Sequence, residues 1–339
     1  MPAVSVLLPC YNAAETLGET LESLSQQTLS DFEVIAVDDG SDDSTLGMLR
    51  DWAAPDSRFR VLSRPHGGVI EASATGLQEC RGRYIARMDA DDRAHPQRLA
   101  RQAAYLDEHP NIAAVSCLVK AFPDKHVREG FRIYVEGLNS LIADEDIIRE
   151  IFVESPLPNP SVTFRKKWLQ RMGGYQERGW PEDYDLYLRM YLAGAKFAKI
   201  PQVLLEWREH PKRITRTDSR YSLENFLRAK AHYLKRGPLA DWDAVIIWGA
   251  GMMGRRLSKL LMREEDAPVV AFVDIDPKKI GNTRRGKPII PPDDLLDWWG
   301  RYQNPVVLAA VGARGARTLI RGRLNAFGLR EGTDWWAAA

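Results

Sequence analysis

The sequence predicts an α/β protein with two domains, a mostly parallel sheet flanked by helices followed by a smaller α/β domain. Short apolar, β-rich runs alternate with amphipathic runs through the first part of the chain, which is typical of parallel sheets with right-handed crossovers. The same alternation begins again near residue 243, after the turn-forming Arg236-Gly237-Pro238. The length of 339 residues exceeds what one hydrophobic core usually serves, which also favours two domains.

The composition is that of a globular protein and excludes several classes of partner. The 47 Lys and Arg residues balance 46 Asp and Glu residues, so nucleic acid is not expected to bind. No apolar run approaches the roughly 20 residues of a membrane span, and no signal peptide is evident. The three cysteines, Cys10, Cys80 and Cys117, suit buried thiols in a reducing compartment. We therefore expect a cytoplasmic protein, which could also lie against the inner face of the membrane.

The strands and helices of the first half follow from the apolar pattern. Predicted strands are Val4–Leu8, Phe32–Val37, Phe59–Leu62, Arg83–Met88 and Ile112–Ser116. The helix after the first strand carries Leu17, Leu21 and Leu24 on one face, and Asn12 is placed to cap it. Such an order of strands and helices predicts a parallel sheet.

The remaining elements are less regular. Residues 118–155 show no clear period, and only the stretch 142–151 within them looks helical. Further predicted elements are a strand at 162–164, a helix after Glu182, a strand at 203–210 and a helix at 222–234. With the linker at Arg236-Gly237-Pro238, the predicted domains are residues 1–236 and 241–339.

Three polar clusters follow strands of the predicted sheet. They are Pro9-Cys10-Tyr11-Asn12, Asp38-Asp39 and Asp89-Ala90-Asp91-Asp92. Ligands of parallel α/β sheets bind beyond the carboxyl ends of the strands, so we expect the clusters to converge at one edge. The third cluster holds three carboxylates within four residues, which is costly unless solvent or a divalent cation occupies the site.

In order and spacing, three stretches resemble the family 2 glycosyltransferases of GT-A fold. They are Val-Ser-Val-Leu-Leu-Pro-Cys-Tyr-Asn, Val-Asp-Asp-Gly-Ser and Ala-Arg-Met-Asp-Ala-Asp-Asp, and the resemblance covers residues 4–235. It implies an inverting, metal-dependent enzyme that moves a sugar from a nucleotide diphosphate donor to an acceptor hydroxyl. A UDP-linked donor and a glycan, lipid-linked or protein-linked acceptor are expected, in surface polysaccharide or glycoconjugate synthesis.

The resemblance also assigns roles to residues of the donor site. Asp91 is expected to bind Mn²⁺ or Mg²⁺, and His210 either completes the metal or diphosphate site or is structural. Asp39 is expected to accept a hydrogen bond from the base and Tyr11 to pack on it, which would favour uridine. Asp89 would place the donor ribose or a metal-bound water. The other expected donor-binding residues are Pro9, Asn12, Arg64 and Ala90.

A second motif, Trp180-Pro181-Glu182-Asp183, resembles the family signature that precedes an amphipathic helix. An attacking hydroxyl needs a general base, and we assign this role to Asp183, with Glu182 as a supporting or acceptor-binding group. The positive end of the helix dipole is expected to keep Asp183 ionised. The alternative is that these carboxylates only cap the helix.

The C-terminal block carries a glycine-rich turn, Gly249-Ala250-Gly251-Met252-Met253-Gly254, between a predicted strand and helix. Asp274 ends the next predicted strand, twenty residues after Gly254. This is the dinucleotide-binding fingerprint, and the block resembles the short Rossmann-like modules of sugar-modifying enzymes. Gly249, Gly251, Gly254 and Asp274 would then contact NAD or another nucleotide. Nucleotide or nucleotide-sugar binding, a redox or epimerase activity, and a scaffold for packing or homo-oligomer formation all remain open.

Two other functions also remain open from the sequence. A sugar-1-phosphate nucleotidyltransferase uses a parallel sheet and carboxylate-bound Mg²⁺, but it would need a basic, glycine-rich loop where Pro9-Cys10-Tyr11-Asn12 stands. A non-catalytic nucleotide-sugar-binding protein is the second alternative.

Overall fold

The computed structural model describes all residues from 1 to 339, which pack into two compact units. The first unit comprises residues 1–147, 156–178 and 182–217. The second comprises residues 148–155, 179–181 and 218–339. The division into 1–236 and 241–339 remains a prediction, whereas packing groups residues 218–240 with the C-terminal part of the chain.

The first unit is built on an eight-stranded, mostly parallel sheet. Its strands are β1 (Val4–Cys10), β2 (Phe32–Asp38), β3 (Phe59–Ser63), β4 (Tyr84–Arg87), β5 (Arg93–Ala94), β6 (Ile112–Phe122), β7 (Thr163–Arg165) and β8 (Lys196–Arg208). They lie in the order β3-β2-β1-β4-β7-β6-β8-β5. The pairs β3–β2, β2–β1, β1–β4 and β6–β8 are parallel, while β7 and β5 run antiparallel to their neighbours.

Helices cover both faces of this sheet. Up to residue 217 they are α1 (Leu17–Ser25), α2 (Thr45–Ala53), α3 (Val69–Glu79), α4 (Arg98–Glu108), α5 (Glu129–Ser140), α6 (Asp144–Glu150), α7 (Lys166–Met172), α8 (Glu182–Leu192) and α9 (Ile214–Thr217). Side chains of β1 alternate between two apolar cores. One core contains Leu8 with Leu21 of α1, and the other contains Leu7 with Leu186 of α8. A parallel sheet with both faces covered is the predicted fold class.

The structure differs from the prediction mainly in the region of residues 112–208. β6 continues to Phe122, and β8 begins at Lys196, before the predicted start at residue 203. The two strands pair in parallel with register shifts at Cys117 and Leu118, which break the period-2 pattern that reveals a strand. Helix α5 was not predicted, although Phe131, Val135 and Leu138 recur at helical spacing, because Gly130 and Gly137 lower the helical propensity of the segment.

The second unit contains a six-stranded sheet. Its elements are α10 (Leu223–Arg236), β9 (Ala244–Trp248), α11 (Met252–Arg263), β10 (Val269–Val273), β11 (Thr283–Arg284), β12 (Lys287–Ile290), α12 (Leu295–Trp299), β13 (Pro305–Ala309), α13 (Ala316–Ala326) and β14 (Trp335–Ala337). The strand order is β11-β12-β10-β9-β13-β14, and all neighbours except β11 and β12 are parallel. Trp335 is fully buried in the core of this unit, and Trp298 and Trp299 pack against it.

Ion pairs attach residues 148–155 to the second unit. The Glu150 carboxylate accepts hydrogen bonds from Arg317 (2.5 Å) and Arg321 (3.1 Å) of α13. The buried Lys230 ammonium of α10 donates to the backbone oxygen of Val153 at 2.5 Å. These contacts explain why a segment in the middle of the chain belongs to the C-terminal unit.

Two predictions from the sequence concerned the three cysteines and membrane-spanning helices. All three cysteines are buried free thiols, as predicted, and burial raises the pKa of Cys80 to about 12. None of the helices combines the length and the apolar character that crossing a lipid bilayer requires.

The close approach of the chain at Gly82 gives a stability prediction. A Cβ at Gly82 would lie 2.5 Å from the backbone nitrogen of Ser5. Gly82→Ala therefore forces β1 away from the loop that precedes β4. We expect the free energy of unfolding to fall by about 1–3 kcal/mol, as for other overpacked sites. Gly47→Ala, in α2 where a Cβ meets nothing within 4 Å, should instead raise it by about 0.5–1 kcal/mol. Urea denaturation measures both, and equal effects of the two substitutions would contradict this account.

Candidate active site

The loop after β1 is fixed to the loop after β2. Asn12 has a positive φ of 46°, its backbone N–H donates to Ser41 Oγ (3.0 Å), and its side-chain oxygen accepts from the Asp42 N–H (3.0 Å). The expectation that Asn12 caps α1 is wrong, because that helix begins only at Leu17 and its first residues follow a separate turn. Asn12 instead holds two neighbouring strand ends together.

Asp39 is buried and holds the glycine-rich loop that follows β3. Its carboxylate accepts hydrogen bonds from Arg64 Nη1 (2.5 Å) and from the backbone N–H groups of Gly67 (3.2 Å) and Gly68 (2.7 Å). Gly40, with a φ of 72°, permits this approach, because a Cβ there would lie 2.6 Å from the backbone nitrogen of His66. Asp39 and Arg64, which were each predicted to bind the donor, are therefore in direct contact.

The ring of His66 stacks on Tyr11 and also lies next to the Asp39 carboxylate. The ring of Tyr11, 47% exposed, lies 4.0 Å from the His66 ring at an interplanar angle of 23°. His66 Nδ1 lies 2.9 Å from Asp39 Oδ2. One imidazole thus occupies both an aromatic face and a carboxylate oxygen, the two groups that were predicted to contact the donor base.

The acidic cluster at the end of β4 is held by α1. Thr16 Oγ1 donates to the backbone oxygen of Ala90 (3.1 Å), and Thr20 Oγ1 donates to that of Asp92 (2.8 Å). With the loop so fixed, Asp89, Asp91 and Asp92 each place one carboxylate oxygen within 4.8 Å of the other two. Pro9 is buried inside β1 and pairs with Val37 of β2, and its role in donor binding remains a prediction.

Burial and neighbouring carboxylates raise the pKa of two members of this cluster, Asp89 and Asp92. Asp92 is buried, and burial together with the charges of Asp91 and Asp89 raises its pKa well above the usual value. Its Oδ1 accepts from the Arg208 N–H at 2.7 Å, while its Oδ2 is buried without a hydrogen-bond partner. An orphaned carboxylate oxygen beside two further carboxylates fits a hard divalent cation, which prefers oxygen ligands.

His210 lies beside the same cluster. Its Nε2 is 2.9 Å from Asp91 Oδ2, which brings the two predicted metal-binding residues together across 119 positions of sequence. Arg208, which precedes it at the end of β8, donates from Nε to the backbone oxygen of Asp91 at 2.6 Å. The guanidinium of Arg208 also pairs with Glu19 of α1, so β8, α1 and the acidic loop form one network.

Two further arginines lie at this site. Arg87 is buried at the end of β4, and its Nη2 lies 2.7 Å from Asp89 Oδ1, which counters the rise in the pKa of Asp89 that burial causes. Arg213 stacks on the ring of Trp207 at 4.3 Å and pairs with the buried Glu209 at 3.0 Å. A charged residue inside an apolar strand was the available signal for Arg87.

Asp183 begins helix α8 with Glu182 beside it. Its Oδ1 accepts a hydrogen bond from the Tyr184 N–H at 2.7 Å. Burial, the Glu182 charge and the Asp89 charge nevertheless raise the pKa of Asp183 to about 7. The expectation that the helix dipole keeps this carboxylate ionised is therefore wrong, because burial outweighs the helix start. The interaction with Asp89 shows that Asp183 lies within electrostatic range of the acidic cluster.

Comparison with known proteins bears on the family. Residues 5–172 match the protein family described as Glycosyl transferase family 2. The amylovoran biosynthesis glycosyltransferase AmsE of Erwinia amylovora is 32% identical over 207 residues, which cover 60% of this chain and 75% of AmsE. The chain belongs to glycosyltransferase family 2. Membership decides against the nucleotidyltransferase and the non-catalytic binding protein, since this chain is a glycosyltransferase.

Solved structures support the GT-A fold of this glycosyltransferase. S. aureus TarS 1–349 in complex with UDP-GlcNAc aligns at a TM-score of 0.58 with 20% identity, covering 79% of this chain and 74% of TarS. The mannosyltransferase PcManGT from Pyrobaculum calidifontis, in complex with GDP-Man and Mn²⁺, aligns at a TM-score of 0.51 with 23% identity. That alignment covers 69% of this chain and 62% of PcManGT. At these identities the likeness concerns the fold.

The glycine-rich turn of this glycosyltransferase lies in the second unit, at the end of β9. Asp274 Oδ2 accepts from the Ala250 N–H (3.0 Å) and from Lys279 Nζ (3.1 Å), and its Oδ1 accepts from the Asp276 N–H (3.0 Å). Asp274 therefore fixes the turn, with both carboxylate oxygens already engaged.

The acidic cluster predicts that a divalent cation stabilises the folded protein. Mn²⁺ at about 100 times its dissociation constant should raise the free energy of unfolding by about 2.7 kcal/mol, because it binds the native cluster. Thermal unfolding with and without Mn²⁺ measures this. Asp91→Asn should abolish the shift, whereas Asp51→Asn, at an exposed carboxylate of α2, should leave it intact. An equal shift in both variants would show that the cation binds elsewhere.

Proposed function

We propose that this enzyme is an inverting, metal-dependent glycosyltransferase that uses a UDP-linked sugar in surface polysaccharide synthesis. The observation that carries the proposal is the electrostatic coupling of Asp183, whose pKa is raised to about 7, with Asp89 of the acidic cluster. A group that titrates near neutral pH beside a cation-binding cluster is suited to general base catalysis. The relative named for amylovoran biosynthesis supports the polysaccharide pathway.

Asp91, Asp92 and His210 would hold the divalent cation, with Asp89 at the edge of the cluster. When bound, such a cation neutralises the charge that accumulates on the leaving diphosphate. The protein's own contribution is to position the ligands: Thr16 and Thr20 fix the loop backbone, and Arg208 fixes Asp92 from the opposite side. His210 at 2.9 Å from Asp91 supports its assignment to the metal site.

Asp183 accepts the proton of the acceptor hydroxyl in this proposal. The acceptor oxygen forms a bond to the anomeric carbon of the donor sugar while the bond from that carbon to the diphosphate oxygen breaks. The hydroxyl proton passes to the Asp183 carboxylate, and the nucleoside diphosphate leaves with the electron pair. A single displacement with one base and no second nucleophile inverts the anomeric configuration.

The donor base is proposed to bind where His66 lies in this structure. A uracil ring that stacks on Tyr11 and donates its imide N–H to Asp39 would make both contacts that the His66 ring now makes. His66 is about half exposed and on a loop, so it can leave without disturbing the bonds from Gly67 and Gly68 to Asp39. The remaining bonds keep the carboxylate in place for the base.

Removal of the general base Asp183 should slow sugar transfer strongly while the enzyme still binds the donor. We expect Asp183→Asn to lower kcat by about 10²–10⁴-fold, the usual contribution of general base catalysis. In the native enzyme, kcat should rise with pH through about 7, since Asp183 must be deprotonated to act. Release of UDP from UDP-sugar in the presence of acceptor and Mn²⁺ measures both. Full turnover by Asp183→Asn would remove it from the mechanism.

A matched variant separates this role from a structural one. Glu182→Gln removes a neighbouring negative charge that raises the pKa of Asp183, so the acidic limb of the pH–rate profile should move to lower pH. Calorimetric binding of UDP to Asp183→Asn shows whether that variant retains its donor site. A profile that stays in place in Glu182→Gln would contradict the assignment of the limb to Asp183.

His66→Ala should tighten UDP binding, because the substitution removes a ring that competes for Tyr11 and Asp39. Aromatic pairs contribute about 0.5–1.5 kcal/mol, so the dissociation constant should fall by about 2–10-fold. Calorimetric titration with UDP measures the change, with Tyr11→Ala as the control that should weaken binding. Weaker binding to His66→Ala would show that the imidazole contacts the nucleotide directly.

A further inference from the structure

A cavity of about 1150 Å³ lies in the second unit, apart from the residues assigned to sugar transfer. It is bordered by the carboxyl ends of β9, β10 and β13, by the start of α11, and by α10 and α13. Its volume suits a ligand larger than a single sugar, since small-molecule sites usually measure about 300–1,000 Å³. All of its lining residues belong to the second unit.

The cavity lies where the strand order of the sheet reverses. β9 is central, the next strand along the chain, β10, pairs on one side of it, and β13 pairs on the other. The connections that follow β9 and β13 therefore lead in opposite directions along the sheet and open a crevice between these two strand ends. Ligands of open α/β sheets bind in this crevice.

Glycine is needed for different reasons at the three glycine positions of the turn after β9. A Cβ at Gly249 would lie 2.7 Å from the backbone oxygen of Ala310, and a Cβ at Gly254 would collide with the backbone oxygen of Gly249. Packing thus requires both. A Cβ at Gly251 would meet nothing within 4 Å, its φ of −78° suits any residue, and Gly251 lines the cavity. The absence of a side chain at Gly251 therefore leaves space for a ligand at the start of α11.

The start of α11 supplies donors to this space. The first N–H groups of the helix have no helical acceptor, since the first bond runs from the Arg255 N–H to the Gly251 oxygen at 2.9 Å. No acidic side chain occupies the first turn of α11 or of α13. An anion at this position would meet free N–H groups and the positive end of a helix dipole.

A buried cation lines the same cavity. Lys230 is only 3% exposed, and its ammonium donates to the backbone oxygens of Val153 (2.5 Å) and Ala338 (3.3 Å), which leaves its third hydrogen without an acceptor. The four carboxylates of the lining each have a cationic neighbour: Lys279 pairs with Asp274 and Asp276, Arg323 pairs with Asp293, and Lys230 interacts with Glu154. The cavity is therefore able to accept a negatively charged ligand.

The mouth of the cavity is apolar. Ile275, which follows Asp274, is 77% exposed, and Met252 and Leu319 are 55% and 77% exposed. These side chains also line the cavity, and an aromatic base would cover them. Asp276, the next carboxylate, has a side chain 39% exposed and is placed to accept hydrogen bonds from ribose hydroxyls.

We propose that this cavity binds a nucleoside diphosphate, separately from the sugar donor. The diphosphate lies at Gly251 and the start of α11, the ribose at Asp276, and the base against Ile275. The same chemistry is present in a dinucleotide cofactor and in a nucleotide sugar. The glycine turn, the crevice and the apolar mouth serve both, so the two sources are separated by the test.

Calorimetric titration of the full chain in EDTA tests this proposal with four probes: ADP, NAD⁺, UDP and UDP-GlcNAc. We expect one metal-independent binding event per chain with at least one probe. Gly251→Val should weaken that event by at least about tenfold, since the new side chain fills the position of the phosphate. Binding of ADP and NAD⁺ would identify a dinucleotide, and binding of UDP and UDP-GlcNAc a nucleotide sugar.

Two further variants make the outcome decisive. Gly322→Val, at an exposed glycine of α13 whose Cβ would also meet nothing within 4 Å, should leave the event unchanged. Asp39→Asn, in the sugar-transfer site, should leave it unchanged as well. The proposal is overturned if no probe binds at millimolar concentration to a folded chain. It is equally overturned if the event survives Gly251→Val or is lost in Asp39→Asn, which would place the nucleotide in the first unit.

Discussion

Mutual repulsion among three carboxylates at the end of β4 is the constraint on which the first unit depends. Two threonines at the start of α1, the capping residue Thr16 and Thr20 within the helix, bind the backbone of the acidic loop. Arg87 pairs with Asp89, and the Arg208 N–H at the end of β8 donates to Asp92. These partners come from three separate parts of the chain. The pKa of Asp92 is still raised, so the protein alone leaves the charge incompletely compensated. A cation would complete what the fold prepares.

The parts of the fold that could be predicted are those with a local cause. β1 to β4 are apolar runs that end in polar residues, and a parallel sheet brings such ends to one edge, so the positions of Tyr11, Asp39 and Asp91 followed from the sequence. β6 and β8 extend beyond their predicted bounds because their pairing shifts register and mixes exposed with buried positions. α5 was missed because two glycines, Gly130 and Gly137, lower the helical propensity of a segment whose apolar residues do recur at helical spacing.

The candidate site shows a similar division between local and distant causes. Asp183 was found from its motif, but the direction of its pKa shift was not, because burial and the charges of Glu182 and Asp89 arise only in the folded chain. The ring of His66 stacks on Tyr11, 55 residues earlier in the sequence, which no local pattern records. Arg208 reaches Asp91 across 117 positions, which no local pattern records.

The interlacing of the two units has a consequence for how the protein can be divided. The chain passes from one unit to the other at residues 147, 155, 178, 181 and 217. Trp180, packed near His232 in the second unit, is followed after only two residues by Asp183. A C-terminal fragment that starts near residue 240 lacks α10 and residues 148–155. Arg317 and Arg321 in that fragment would lose their partner Glu150. The C-terminal unit is therefore not a detachable module, and exchange between relatives must carry three stretches of sequence together.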